Sequence, residues 1–294
     1  MSPPRPPGRP KGAVPPGGRL AQRASGGSPP RPLAGMPAAV RRGIRGVLTD
    51  IDDTLTTHGR LTPQAYAALA RLHEAGKLVV PITGRPAGWC DHIARMWPVD
   101  AVVGENGAFY FAYDEKAKKM ERVYSQTAEV RSANTVKLWE IARAVLKEFP
   151  GTAIASDQAY REIDVAIDFC EDVPPLPLAT AQAIAERFHK EGAEAKVSSI
   201  HVNAWFGSHD KLSMSLRLLG DKFNLTHEQA KKAVAYCGDS PNDAPMYAGF
   251  PFGIGVANIR PLAHLMKHLP AYVTEGEGGT GFAQFADAVL KAKA

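Results

Sequence analysis

Asp50-Ile51-Asp52-Asp53-Thr54 closes a short apolar run, Gly46-Val47-Leu48-Thr49, and puts two carboxylates at i and i+2. An apolar run of this length without helical period reads as a buried strand. Residues two apart on a strand point the same way, so Asp50 and Asp52 are expected to leave the strand end together and face one site. Carboxylates held that close repel, and a bound cation or a shared proton must offset the cost. The pair therefore predicts a metal, with one carboxylate as nucleophile and the other as acid and base.

Two more apolar runs end in chemistry-bearing residues. Leu78-Val79-Val80-Pro81-Ile82 runs into Thr83-Gly84-Arg85, and Ala233-Val234-Ala235-Tyr236-Cys237 runs into Gly238-Asp239-Ser240-Pro241-Asn242-Asp243. Between them stands Lys211, at the start of an expected helix reaching about Leu219. The elements that must position these groups alternate. Thr62-Pro63 opens a helix with Leu69 and Leu72 on one face, and Gly76 closes it. A helix through Trp89–Met96 and a strand near Ala101–Val103 follow. This rhythm argues an α/β protein with a Rossmann-like parallel sheet and helices on both faces. Such sheets gather reacting groups at the carboxyl ends of their strands.

The middle of the chain has another texture. Phe109–Tyr113 and Met120–Tyr124 read as a hairpin, and Ser132–Phe149 as a helix with Val136, Trp139, Ile141, Val145 and Leu146 as apolar positions. Ile163–Phe169 reads as a half-exposed strand, Leu178–His189 as a helix, and Lys196–Trp205 as one or two strands. The expected organisation is a core domain at 44–125 and 207–294, with an inserted α+β cap domain at 126–206. A cap implies opening and closing, with hinges expected near Ser125–Thr127 and Gly207–Asp210.

Composition narrows the class. With 294 residues and 45% hydrophobic content, the chain can build one large core or two moderate ones. No apolar stretch approaches the roughly 20 residues of a membrane helix, and residues 1–43 lack the apolar core of a secretory signal. Cys90, Cys170 and Cys237 fit no metal or disulfide spacing, which fits inert core residues and a cytoplasmic location. Residues 1–43 hold eight basic residues and no acid, leaving 27 basic against 30 acidic residues, a net of −3, in the rest. The positive total is thus no sign of a nucleic-acid enzyme. The Pro-, Gly- and Arg-rich segment 1–43 is expected to be a disordered tail. An RNA- or membrane-tethering role for it is the alternative, and Met36 is the expected true start.

With those residues in view, the chain resembles the haloacid dehalogenase-like superfamily, and within it the phosphatases with a type IIB α/β cap. The resemblance covers residues 44–290. Its four motifs stand in order as Asp50 to Thr54, Thr83, Lys211, and Gly238 to Asp243. Gly104-Glu105-Asn106-Gly107 is similar to the stretch that precedes the cap. Two positions depart from the pattern. Asp53 stands where glycine is usual, and Leu212 follows the lysine where glycine is common, which makes Lys222 the alternative.

The resemblance implies a phosphatase acting on a small phosphorylated metabolite, with a sugar phosphate suggested by the cap type. It assigns Asp50 as nucleophile and Asp52 as general acid and base, with Mg²⁺ held by Asp50, the Asp52 carbonyl and Asp239, and Asp243 behind them or through water. Thr83, Gly84, Lys211 and Asn242 would hold the phosphate. The candidate cap contacts to substrate are Arg161, Asp164, His201, Asn203 and Trp205. A phosphomutase or phosphotransferase of the same fold and a catalytically silent phosphate-binding module are the alternatives. No motif indicates a specific nucleic acid, a membrane or an oligomeric state.

Overall fold

The computed structural model describes residues 29–198 and 200–292. Chain order runs β1 (Arg31–Pro32), α1 (Ala38–Gly43), β2 (Gly46–Thr49), β3 (Thr56–Thr57), β4 (Arg60–Leu61), α2 (Pro63–Glu74), β5 (Leu78–Pro81), α3 (Ala87–Met96) and β6 (Val102–Gly104). Then come β7 (Phe109–Asp114), β8 (Lys119–Tyr124), α4 (Ala128–Glu148), β9 (Ala153–Ile154), β10 (Val165–Asp168), α5 (Leu178–Lys190), β11 (Glu194–Val197) and β12 (His201–Trp205). The chain closes with α6 (Lys211–Phe223), α7 (His227–Ala233), β13 (Val234–Gly238), α8 (Ala244–Gly249), β14 (Phe252–Gly255), β15 (Tyr272–Val273) and α9 (Gly278–Leu290).

The central sheet has the order β1-β15-β14-β13-β2-β5, and every pairing in it is parallel. Apart from the short exposed edge strand β1, its main strands β2, β5, β13 and β14 are almost wholly buried, so their sequences are apolar rather than alternating. Val47, Val79 and Ala235 face α2, α3 and α9, while Leu48, Val80 and Tyr236 face α6 and α8. The chain leaves β2 for β5 on one side and returns to β13 on the other. The crevice between β2 and β13 is thus a topological switch point, where ligands of such sheets collect. Register sets Thr49 level with Cys237 on one side and Pro81 on the other, so the three chemistry-bearing loops leave one edge together.

Residues between β8 and α6 build a second sheet, β11-β12-β10-β9, wholly antiparallel. Val165, Ile167, Val202 and Ala204 pack one of its faces on Leu138, Ile141, Val145, Ile184 and Phe188 of α4 and α5. The other face presents His201, Asn203 and Trp205 toward the first unit. Covered on both sides, β10 is entirely buried, not half-exposed as its alternation suggested. Val136 is 60% exposed, and α4 packs through other positions.

The expected disordered tail falls outside the described residues over 1–28 and is corrected beyond them. Residues 31 and 32 add β1 to the sheet edge beside β15, Met36 is buried in the core, and α1 follows. Ordered chain thus precedes Met36. Arg31 stacks on the Tyr272 ring and donates to its hydroxyl, a tertiary contact that a reading of local composition does not reveal. Among the described residues, no helix is long and apolar enough to cross a membrane.

His209, on the return segment from the second unit, is buried and stacks on Trp205 at 5.6 Å between centroids. Neither of its ring nitrogens has a hydrogen-bond partner. Burial pulls the imidazole down from 6.5 to about 4, against the opposing pull of Asp210. The unfolded chain therefore takes the proton first, and stability is full above about 6.5 and lost as pH falls from there toward 4. His209→Phe keeps the stacked ring and is expected to shrink the difference in melting temperature between pH 7 and pH 5. An unchanged difference, measured by scanning calorimetry, would place the acid sensitivity elsewhere.

Candidate active site

Asp50 follows the last residue of β2, and its N–H donates to the Cys237 carbonyl at 2.8 Å, which ties it to β13. The chain then turns rather than extending, with Thr54 and Leu55 donating back to the Ile51 carbonyl. The two-residue alternation of a strand therefore lapses after Thr49, and the two aspartates take different partners. Lys211 Nζ lies 3.0 Å from Asp50 Oδ1 and 2.9 Å from Asp243 Oδ1. The Asp52 carboxylate is gripped by Arg85, with Nε at 3.2 and 3.0 Å and Nη2 at 2.9 Å. Asp53 adopts φ +54°, the left-handed region where glycine is unstrained and aspartate is among the better-tolerated side chains. That accounts for the glycine usual at this position and for how Asp53 replaces it.

The acidic cluster is Asp50, Asp239 and Asp243, each offering an oxygen within 4.8 Å of the others, all buried. Three carboxylates against the single ammonium of Lys211 leave two net negative charges when ionised, a deficit that suits one divalent cation. Burial and the neighbouring acids push the Asp50 carboxyl up to about 7 despite Lys211. Asp239 accepts from Thr54 Oγ1 at 3.2 Å. Asp243 is fully committed within the protein. Its Oδ1 takes Lys211 and the Tyr236 hydroxyl, and its Oδ2 takes the N–H groups of Asp239 and Ser240. Asp243 thus orients Lys211 and the Asp239 loop, and Asp50 and Asp239 remain the carboxylates best placed to hold an ion. Oxygen donors of this kind suit a hard divalent cation. The Asp52 carboxylate stands outside this cluster, turned to Arg85, and only its carbonyl was expected at the ion.

Two glycines make the approach possible. A Cβ on Gly238 would sit 2.4 Å from Asp243 Oδ2. Gly107, at φ +101°, would place one 2.0 Å from the Asp210 carbonyl, at the N-terminus of α6 where Lys211 begins. Asp210 caps that helix through Ser213, and so aims Lys211 at Asp50. Lys222, the alternative lysine, pairs with Glu121 on the surface instead. Because Lys211 is buried with two carboxylates, Lys211→Met is expected to cost about 3–5 kcal/mol of stability. Urea unfolding in EDTA measures it, and a loss below about 1 kcal/mol would show that the pair contributes little.

A small polar cavity of about 40 Å³ lies over this cluster. Asp50, Asp52, Gly84, Asp239 and Asn242 line it from the first unit, and Arg161, His201 and Asn203 from the second. Thr83 is behind the wall, its hydroxyl accepting from the Arg85 N–H at 3.0 Å. Asn242 bonds Ser240 and faces the cavity rather than Lys211. Asp164 does not line the cavity. It is the buried partner of Arg161 at 2.9 Å and of Asn203 at 3.0 Å, and holds both in place. Trp205 is corrected as a substrate contact, because it is buried against His209 and away from the cavity.

Sequence reasoning passed over four residues at or behind this cavity, Arg85 on its wall and Glu171, Asp168 and Glu105 behind it. Arg85, in the quoted Thr83-Gly84-Arg85, joins Asp52 to Glu171 at 3.3 Å. Glu171 also lies 2.9 Å from His201 Nε2, and these partners pull its carboxyl down to about 2. Asp168 aims Glu171 by accepting from the N–H groups of residues 170, 171 and 172. Glu105, in the quoted Gly104 to Gly107 stretch, accepts from the N–H of Ala87 in α3 and from those of Glu162, Ile163 and Asp164. It fastens one unit to the other from a buried position. Burial and the charge of Asp164 push its carboxyl up to about 8, against the N–H groups of Glu162 and Asp164 and the charge of Arg161.

The sequence model of the haloacid dehalogenase-like hydrolase family matches residues 47–142. Among solved structures, the chain is similar to a haloacid dehalogenase/Cof-like hydrolase from Plasmodium vivax at 18% identity and TM-score 0.64. That match covers 87% of this chain and 99% of the other. The sucrose-phosphatase of Synechocystis, solved with sucrose and phosphate, is similar at 16% identity and TM-score 0.59, covering 85% and 98%. A subclass IIB sugar phosphatase of the superfamily is similar at 14% identity and TM-score 0.57, covering 85% and 100%. No curated protein sequence matches the chain.

Proposed function

From a chain that carries the haloacid dehalogenase-like hydrolase fold and its four motifs, we propose a Mg²⁺-dependent phosphatase of small phosphate monoesters. The observation that carries this reading is the Lys211 ammonium bridging Asp50 and Asp243, with Asp239 alongside, on a cavity that Asp52 also lines. Asp50 attacks phosphorus, the bond to the alcohol oxygen breaks, and Asp52 gives that oxygen its proton. Water then attacks the aspartyl-phosphate, Asp52 takes the water's proton, and phosphate leaves with Asp50 restored. Lys211 and the N–H groups near Thr83 and Gly84 stabilise charge on the phosphoryl oxygens. Asp50 and Asp239, with the Asp52 carbonyl, would hold Mg²⁺, which would add Lewis-acid neutralisation of the phosphoryl charge.

In this reading, residues 126–206 form the cap, and Arg161, His201 and Asn203 are its contacts to the bound ester. Glu105 and Glu171 hold the cap closed, and segments 125–127 and 207–210 hinge it. The similarity to the sucrose-phosphatase and the sugar phosphatase favours a sugar phosphate as substrate.

The test is phosphate release from a panel of sugar phosphates, phosphoglycerate derivatives and an aryl phosphate, with Mg²⁺ or EDTA. Release that needs the ion is the expected result. Folded, Mg²⁺-binding protein that releases no phosphate from any ester, yet moves phosphoryl groups between substrates, would make the chain a mutase.

A further inference from the structure

The polar cavity over Asp50 is small. About 40 Å³ accommodates a few waters, and a hexose attached to the phosphate has no room there. Past Asp52 and Arg85, which belong to both walls, opens a second cavity of about 520 Å³. That is within the usual range for a small-molecule site, about 300–1,000 Å³. Its lining is of another kind: Ile51, Leu61, Trp89, Ile93, Trp97 and Tyr160. The Arg85 guanidinium stacks 4.5 Å over the Trp89 ring, so the residue that grips Asp52 also forms one end of this aromatic wall.

The mouth is apolar and open. Trp89 is 42% and Tyr160 59% exposed, and Tyr66 of α2 packs edge-on against the lining residue Trp97. Large exposed aromatics grouped around a pocket mark a binding surface. Most of the wall belongs to the core unit, with Tyr160 reaching over from the other. Asp52 is the group that must meet the departing alcohol oxygen, and the space on its far side is where the rest of the alcohol can go.

We propose that this aromatic pocket seats the alcohol half of the ester, and that the alcohol carries a ring with an apolar face. The proposal rests on the phosphatase reading and names its substrate class. Two sources share that chemistry, the π face of an aryl group and the C–H face of a pyranose, each of which stacks on Trp and Tyr. Besides Asp52 and Arg85, few polar side chains line it to meet sugar hydroxyls, His92 and Thr56 among them, and the Thr56 hydroxyl already accepts from the Asp53 N–H.

Three primary-alcohol esters separate the ring from intrinsic reactivity: ethyl phosphate, 2-phenylethyl phosphate and glucose 6-phosphate. At least one ring ester is expected to exceed ethyl phosphate in kcat/KM by about tenfold or more, equivalent to about 1.4 kcal/mol. The leading ring ester identifies the source. In Tyr160→Ala the preference is expected to fall toward parity, and in Tyr160→Phe to persist. Tyr160 is exposed enough that neither change threatens folding. Equal kcat/KM for all three esters, or a ring preference undiminished in Tyr160→Ala, overturns the pocket assignment while leaving the phosphatase intact. No release from any ester overturns both.

Discussion

Asp50→Asn is expected to fold, to bind Mg²⁺ weakly and to lose phosphatase turnover on the order of 10⁴-fold or more, the scale seen when a covalent nucleophile is removed. Asparagine keeps the volume of the side chain and one oxygen to accept from Lys211 Nζ, now at 3.0 Å from Asp50. The variant loses the negative charge that attacks phosphorus. The loss should appear in kcat with every ester, because the same bond forms whatever alcohol departs. Acid-quenched wild type should carry a hydroxylamine-labile phosphoryl group that Asp50→Asn lacks. A residual rate within tenfold of wild type would sink the nucleophile assignment, whatever became of the metal.

Asp52→Asn carries the second large effect, and its signature lies in the leaving group. Proton transfer by a positioned carboxyl contributes about 10²–10⁴-fold, so alkyl esters should slow by that amount. An aryl phosphate departs as a stabilised anion and needs the proton least in the first step. It still needs a base for the second. With p-nitrophenyl phosphate the variant should therefore release about one equivalent of nitrophenolate per site rapidly and then stall, as phosphoenzyme accumulates. Equal losses for alkyl and aryl esters, with no burst, would show that Asp52 serves the fold or the metal rather than the proton. The Arg85 grip makes this variant informative. Asparagine can accept from Arg85 through its one oxygen, so the arginine stays placed while the proton donor is gone.

Much of this was legible in the chain. The apolar runs at 46–49, 78–82 and 233–237 contain β2, β5 and most of β13 because apolar residues fill a sheet covered on both faces. The parallel order follows from their alternation with helices. Short motifs at strand ends were readable because the chemistry sits within a few residues of the element that carries it. Thr62, which caps α2, and Lys211, which opens α6, were legible for the same reason. Boundaries and exposure were less so. The burial of β10 depends on α4 and α5 covering one face and the core unit the other.

The sequence by itself thus determined the fold class, the order of the four motifs and the residues from which a phosphoryl-transfer site could be assembled. Tertiary structure alone decided who partners whom. Lys211 meets Asp50 across 161 residues, Thr54 meets Asp239 across 185, and Arg85 meets both Asp52, 33 residues before it, and Glu171, 86 after it. Only the fold turned Asp243 into the support of Lys211, gave Asp52 to Arg85, withdrew Trp205 from the site and set an aromatic pocket behind the acid. The physical reason is that local propensity and periodicity act over a few residues. A buried charge is settled by whichever opposite charge or N–H group the folded chain brings within about 3 Å.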